Sequence, residues 1–547
     1  MVNKVDLLFP EKKDSKPLSL EGTLIKEFLK EDEQNRLAKM ALNKVLSDQT
    51  IVPKATFSGQ NFAADLHVPL LVKEFLGTNY ASPFVYKTLI SAPIDVETIL
   101  FRQEILKELE QEKAAQSLED IYLRLTKIAK SYEEVISSGQ GRGDMTGSYY
   151  YPNRGEEAQT FAAKITLLHN YLQALETIEE TNFNSGLSRL KDYAQKVKED
   201  RKFQEMSKYV RSFTDHLTLS ANIEITFNHL GSMTRKKVMP VSIDRSHQIL
   251  SSKISLLKLT PFYTKLLFDK VDDFIEDYFD EMLTLASYLG ELEFYRGANS
   301  FVKKLEMFDV PCTYPQFEEG KVKIRNLHNP LLVLQEAKAQ GFRSVANDVL
   351  FEPEKRLYVL TGPNDGGKSV YLRAIGLGIL LAQNGYPIPA EKATLTTFDD
   401  IYTHFIPKDD IKNRRGRYRQ ELQQLRYIFE KATPKSLVLL DEPCGGTDPG
   451  QGSKQSLTTL RKLYRLGSSG VFATHMHNVA EEVQSGDYPF AHNLQVGVEI
   501  QQGKPLLNYK VSEGRSGQSY GDLIAKDIGV DDDSLDQLLE KRFPKKD

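Results

Sequence analysis

Three short stretches hold the residues best suited to chemistry. Residues 358–371 read YVLTGPNDGGKSVY, and within them Gly362 to Ser369 fits G-x-x-x-x-G-K-S. An apolar strand-like run (Tyr358, Val359, Leu360) enters the glycine turn, and a helix-like pattern (Tyr371, Leu372, Ile375, Leu377, Leu380) leaves it. Glycines let backbone N–H groups converge on phosphate oxygens, and the N-terminus of the following helix adds positive potential. A lysine placed here reaches β- and γ-phosphates, and the serine hydroxyl can hold Mg²⁺. The candidate nucleotide contacts are Gly362, Pro363, Asn364, Gly366, Gly367, Lys368, Ser369 and Val370. A glycine turn that binds nothing has no need to stand between a strand and a helix.

The second stretch is Ser436 to Leu440, SLVLL, an unbroken apolar run of the buried-strand type that ends in Asp441-Glu442. An acidic pair at a strand end downstream of a phosphate loop suits a metal shell (Asp441, with Ser369) and a general base for the attacking water (Glu442). Burying two acids without a metal or nucleotide would be costly. In the third stretch, Gly470 to His475 (GVFATH) is another apolar run, and His475 stands where a γ-phosphate sensor could. The catalytic candidates are Glu442, His475 and Lys368. His475 and His477 also form an H-x-H pair, but no cysteine or second acidic cluster lies near enough in sequence to suggest a zinc site. Strand, phosphate loop, acidic strand end and histidine strand end, in this order, indicate an ABC-type ATPase. Such domains sandwich nucleotide between two copies, so a chain carrying one domain should dimerise.

The elements that position these stretches follow from the rest of the chain. Its 547 residues suggest several domains, and a net charge of −4 neither demands nor forbids a nucleic-acid partner. Cys312 and Cys444 are too few for a disulfide framework and fit a reducing cytosol. No run approaches the ~18 apolar residues of a membrane span, and residues 1–14 lack a signal-like apolar stretch, so a cytoplasmic protein with no membrane partner is expected. The expected fold is multidomain: a mainly α-helical N-terminal and lever region, then an α/β P-loop domain of ABC type with a C-terminal helical tail. Residues 1–92 form a mixed, largely helical segment and 93–319 a helical core. Residues 320–510 form the ATPase domain, and 511–547 a helical dimerisation segment.

Within the helical core, amphipathic patterns predict helices over Asp95–Leu109, Ala115–Val135, Glu156–Glu180, Leu187–Phe213 and Pro261–Leu292. Ser137–Arg154 is a glycine-rich loop ending in aromatics; it reads as an inter-helix connection, with nucleic-acid binding as the alternative. Residues 217–243 read as an inserted hairpin whose tip carries Arg235, Lys236 and Lys237. These charges suit a phosphate backbone and equally suit a lysine-rich edge that blocks aggregation.

Five motifs in order, TGPNDGGKS, DDIKNRRGRYRQEL, LVLLDEPCGGTDP, FATHMHN and GQSYGDLIAKDIG, resemble the MutS DNA mismatch repair family. APIDVETILFRQ is similar to the start of that family's helical core, and RNLHNPLL to the entry to its ATPase. The resemblance covers roughly residues 93 to 530. It implies a homodimer with composite ATP sites, ATP and Mg²⁺ as cofactors, and DNA as partner, embraced by long helical levers. It also implies that Asn347 stands at the family's Asn ahead of the phosphate-loop strand. Tyr509 is placed to lay a ring on adenine or to act as plain packing.

The departures are specific. Asp365 stands where the family has methionine, and Gly416 where it has a signature serine, so Arg415, Arg417 or Arg419 would supply charge to a partner's site. About 90 residues precede the helical core, too few for the family's mismatch-reading and connector domains. Phe9-Pro10-Glu11 fits the Phe-x-Glu wedge as any three-residue match can. The expectation is a MutS-like Mg²⁺-dependent ATPase that binds mismatched or structured DNA and couples ATP turnover to lever movement in repair or recombination. The alternative is an ABC-type switch acting on a protein or ribonucleoprotein.

Overall fold

The computed structural model describes residues 5–10, 61–75, 82–138, 154–219, 224–227, 233–236, 261–336, 344–363, 365–405, 417–485, 488, 491–501, 504–515, 525–526 and 528–543. The chain divides into two compact units, each built from separated segments. The first comprises Met1–Ile51, Thr78–Val85 and Glu104–Asn299, and the second Val52–Gly77, Tyr86–Gln103 and Ser300–Asp547. Residues 52–77 and 86–103, assigned by sequence to the N-terminal segment and the start of the helical core, therefore belong to the second unit.

The first unit is helical. Its main helices are Glu112–Ser138, Arg154–Glu179, Arg189–Lys198, Arg201–Leu219 and most of Pro261–Glu306. The single helix expected over Leu187–Phe213 is broken. Asp200 accepts the N–H of Lys202 at 2.9 Å, a local side-chain bond that starts a new helix instead of continuing the old one. Tyr132, Tyr171, Tyr193, Tyr288 and Tyr295 are fully buried here, and Tyr132 meets Phe279 edge-on at 5.5 Å.

The N-terminal arm is tied to this unit. Leu7 and Leu8 are buried, Val5 N–H donates to Tyr288 Oη at 2.8 Å, and Leu7 N–H donates to Glu291 at 3.1 Å. The Arg189 guanidinium donates to the carbonyls of Asp6, Phe9 and Pro10 at 2.7–2.8 Å. Phe9 and Pro10 are thus held by their backbone as packing elements, and Glu11 lies outside the described residues. The hairpin is present as β1 (Glu224–Phe227) and β2 (Met233–Lys236), antiparallel, with Phe227 opposite Met233 and Ile225 opposite Arg235. Arg235 and Lys236 therefore sit within the second strand, paired with Ile225 and Glu224, and not at a tip. Lys237 and residues 139–153 of the glycine-rich loop lie outside the described residues.

The second unit is α/β. A small sheet has the order β3-β7-β4-β5, made from Gln316–Phe317 (β3), Val322–Leu327 (β4), Asn347–Phe351 (β5) and Lys392–Leu395 (β7). The larger sheet has the order β12-β11-β6-β10-β9-β8. Its strands are Leu357–Thr361 (β6), Ile401–His404 (β8), Leu437–Asp441 (β9), Ser469–Thr474 (β10), Ala491–Gln501 (β11) and Lys504–Glu513 (β12). β8, β9, β10, β6 and β11 run parallel, and β12 closes the edge antiparallel. Every residue of β6, β8 and β9 is buried, as expected of strands covered on both faces.

The helices of this unit that bear on the site are α1 (Phe62–Asp65), α2 (Lys368–Gln383), α3 (Arg417–Lys431), α4 (Pro449–Leu466), α5 (His477–Gln484) and α6 (Asp532–Arg542). Helix α2 is anchored at its C-terminal end by residues 86–103. Gln383 donates to the Pro93 carbonyl at 3.1 Å and Asn384 to the Leu89 carbonyl at 2.9 Å, while buried Arg102 donates to Asn384 Oδ1 at 3.1 Å. Gly385 adopts φ +83°, and a Cβ there would lie 2.6 Å from Arg102 Cβ, so only glycine allows this approach. No described helix is long and apolar enough to cross a membrane.

Candidate functional site

The parallel register decides which side chains meet. Thr361 at the end of β6 pairs with Thr474 at the end of β10, and Ala473 pairs with Asp441 at the end of β9. The segments that follow these strands, Gly362–Gly367, His475 and Glu442, therefore leave from one edge. Carboxyl edges of parallel sheets are where α/β domains bind ligands.

The glycine turn behaves as its composition predicts. Gly366 N–H donates to the Pro363 carbonyl at 3.1 Å, and Gly367 takes φ +85° as the residue that caps α2. Asp365 is exposed, with φ +65°, so its carboxylate keeps its hydration. Asn364 lies outside the described residues. Lys368 is 6% exposed and folds over the turn, donating to the carbonyls of Gly362 and Pro363, each at 3.0 Å. The Val370 carbonyl in the first turn of α2 accepts from Asn329 at 3.0 Å.

The acids converge on this turn. Ser369 Oγ donates to Asp441 Oδ2 at 2.5 Å. Burial pushes the Asp441 carboxyl up; the Ser369 bond pulls it down, the charge of Glu442 pushes it up, and Lys368 and Arg373 pull it down. Glu442 lies between a lysine and an imidazole, with Lys368 Nζ 3.7 Å from Oε1 and His475 Nδ1 3.4 Å from Oε2. The His475 hydrogen bond holds Glu442 below the usual carboxylate range against its partial burial, and the same bond raises the His475 imidazole. Glu442 has φ +49° and Cys444 φ +72°. Backbone of this kind in non-glycine residues costs on the order of 1–3 kcal/mol and clusters at functional sites.

The turn after Glu442 is held from a neighbouring helix. Gly446 N–H donates to Glu421 Oε2 on α3 at 3.1 Å, and a Cβ on Gly446 would lie 2.9 Å from Tyr418 N. Cys444 is fully buried beside Glu421, and burial pushes its thiol up to about 12, so it acts as packing and not as a nucleophile. Gly416 and Arg415 lie outside the described residues, and Arg419 is exposed.

The two remaining candidates differ in placement. Asn347 is buried and its amide serves β12: it donates to the Tyr509 carbonyl at 3.1 Å and accepts from Val511 N–H at 2.8 Å. The geometry thus gives Asn347 a structural task next to the turn. Tyr509, at φ +55° and 38% exposed, lies with Cδ1 3.3 Å from where a Cβ on Gly367 would stand. Its ring is therefore a wall of the glycine turn. Sequence reasoning missed Glu421, Arg373, Thr403 and Asp65. Arg373 follows Ser369 by one helical turn, a usable signal; Asp65 has no local signature.

Oxygen donors Ser369 Oγ and Asp441 Oδ2 side by side fit a hard cation such as Mg²⁺, which takes few protein ligands and completes its shell with water and phosphate. Among the described residues no group of three His, Cys, Asp or Glu is placed to hold a metal. His475 in particular faces Glu442.

Taken together, a covered parallel sheet with a glycine turn, a buried lysine and an acid pair on one edge defines a mixed α/β domain. Comparison with known proteins then narrows the class. A family model described as MutS domain V matches residues 358–541. Among curated relatives, the DNA mismatch repair protein MutS of Thermosipho melanesiensis is 32% identical over 277 residues, 50% of this chain and 32% of that protein. The protein of that name from Thermotoga petrophila is 34% identical over 234 residues (42% and 29%), and that of Thermotoga maritima 27% over 380 residues (66% and 46%). Over residues 358–541 the chain is thus similar to the MutS family. It spans less than half the length of these relatives.

Proposed function

We propose that this chain is a Mg²⁺-dependent ATPase that works on DNA. The observation that carries the reading is the meeting of Lys368, Ser369, Asp441, Glu442 and His475 on one sheet edge. The loop N–H groups and Lys368 bind the phosphates, with Tyr509 beside Gly367 offering its ring to the base. Ser369 and Asp441 would hold Mg²⁺, which when bound offsets the negative charge of the phosphates. Glu442 accepts the proton of the attacking water. His475 and Lys368 keep it ionised for that task, and the strained turn through Glu442 and Cys444, braced by Glu421, fixes its direction.

A second copy completes the assembly in this reading. Helix α6 leaves Leu535, Leu538 and Leu539 at 40–51% exposure, with Ile528, Val530 and Phe543 also exposed, an apolar stripe at helical spacing that supports self-association. DNA as the substrate rests on the relatives' name, DNA mismatch repair protein. The hairpin strand bearing Arg235 and Lys236 supplies a candidate contact.

The test is ATP hydrolysis by the purified chain with and without Mg²⁺, alongside DNA binding titrated against salt. Hydrolysis that needs Mg²⁺ is expected; its absence would remove the reading. Replacing Arg235, Lys236 and Lys237 by Ala should reduce the log–log salt slope for duplex binding by about 3. Binding absent at low salt in every nucleotide state would transfer the motor to a protein partner.

A further inference from the structure

We infer that Asp65 is a positioning residue for the catalytic edge, joining the phosphate-loop helix to the end of strand β8. This rests on the ATPase reading above. Asp65 closes the four-residue helix α1 and lies outside the residues matched by the family model. Its two ends serve different elements. The side-chain Oδ2 accepts from Thr403 Oγ1 at 2.6 Å, and the carboxylate also takes the backbone N–H of Phe405. The main-chain carbonyl accepts from Arg373 Nε at 2.8 Å. Arg373 stands one turn beyond Ser369 on α2 and lays its guanidinium over the Phe405 ring at 4.9 Å.

The next residue seals the joint. Leu66 is fully buried against Gly376 of α2, where a Cβ would lie 2.7 Å from both its methyl carbons and 3.2 Å from Leu439 of β9. Residues 65–66 therefore touch the helix that carries Lys368 and Ser369 and the strand end beside Asp441.

The chemistry of this contact exceeds what packing needs. Burial pushes the Asp65 carboxyl up, the Thr403 bond and Arg373 oppose it, and the charge of Asp441 adds to the rise. Arg373 in turn feels both Asp441 and Asp65. An acid in this place costs free energy that an alanine would not. Hydrogen bonds to Thr403 and Phe405 compensate by setting direction, which apolar contact does not.

The experiment uses the full chain with Asp65→Asn and Thr403→Val, singly and together, and Leu66→Ala as the packing control. Asp65→Asn is expected to lower kcat roughly tenfold, the scale of a small misplacement at a reacting centre, while the Kd of a fluorescent ATP analogue stays within about twofold. The double variant should be no slower than Asp65→Asn alone, because both changes break one interaction. Leu66→Ala, which opens space against Gly376, should lower the melting temperature more than Asp65→Asn does and lower kcat less, with both kcat values measured well below the transition. Thr403→Val removes only a hydroxyl and gives the kinetic result where Asp65→Asn does not fold. A kcat within twofold of wild type in both Asp65→Asn and Thr403→Val, with an active wild type, overturns the inference alone. So does a loss in Leu66→Ala equal to that in Asp65→Asn. A wild type without hydrolysis overturns the ATPase reading and this inference with it.

Discussion

Both units bury acids, and they do so to opposite ends. In the helical unit Glu291 and Glu293 are 2% and 1% exposed. Glu291 accepts a backbone N–H from Leu7, and Glu293 accepts from Arg296 at 3.0 Å and from the Tyr122 hydroxyl. Arg296 also binds Glu119 at 2.7 Å, and its guanidinium lies 4.6 Å from the centre of the Tyr122 ring. These partners are a main-chain amide, a permanently charged fork and a phenol whose ring is stacked under that fork, groups that hold one geometry. On the α/β edge Asp441 faces a serine hydroxyl, and Glu442 faces a lysine and a half-exposed imidazole. A hydroxyl can turn toward a cation, a lysine toward phosphate, and an imidazole can lose its charge. Burial alone does not mark a site; burial beside partners able to exchange does.

The largest effect should separate the two kinds of acid. Glu442→Gln is expected to lower turnover by about 10²–10⁴-fold while ATP binding persists, because it removes a proton acceptor and keeps the shape. Glu291→Gln should leave turnover unchanged. Equal losses of turnover in steady-state assays would erase the distinction drawn here.

The next effect runs the other way. Glu293→Ala leaves the Tyr122 hydroxyl and one arm of Arg296 without this acceptor at a part-buried site, at a cost of about 1–2 kcal/mol. For a unit of this size that lowers the melting temperature by several degrees, at roughly 2–4 °C per kcal/mol. Glu442→Gln should lower it less, since Gln keeps an acceptor for the neighbouring donors and leaves the strained turn as it was. Calorimetry on both variants checks this. A larger loss in Glu442→Gln than in Glu293→Ala would make Glu442 a structural acid.

What could be read in advance follows the same division. Gly362–Ser369, Asp441, Glu442 and His475 were legible because each sits at a strand end flagged by a local apolar run, and parallel pairing places such ends together. Thr403 and Glu421 had no such flag; a threonine within a buried strand and a glutamate on an amphipathic helix read as ordinary. Asp65 meets Arg373 and Thr403 across some 300 residues of chain, a proximity that depends on how helix α1 packs. Asn347 stands out in the sequence only through the family resemblance, while its amide serves the backbone of β12. The hairpin was legible from alternation, but the positions of Arg235 and Lys236 depended on a register fixed by Phe227 pairing with Met233. The break at Asp200 depended on a side chain choosing the Lys202 amide over solvent. Each of these is a choice between alternatives of similar local energy, decided by tertiary contacts.

The smallest effect tests the exchangeable character of the Glu442 partners directly. Glu442 is lowered chiefly by its bond to His475, and His475 is raised by the same bond. A lowered carboxyl contributes stability above its ordinary value near 4.5, lost as pH falls through its folded value. A raised imidazole contributes stability below 6.5, lost as pH rises through its folded value. The pair is therefore fully stabilising between about pH 4.5 and 6.5. His475→Ala should narrow the melting-temperature difference to wild type on either side of that window and show it at its greatest within. The variant's turnover should fall off at a higher pH on the acid side, because Glu442 without its partner protonates more readily. For the helical unit no loss on the basic side of this window is expected: Arg296 stays charged throughout, so the cost of Glu293→Ala should not fall as pH rises past it. A flat profile for His475→Ala would mean that the imidazole, like Arg296, merely holds its acid in place.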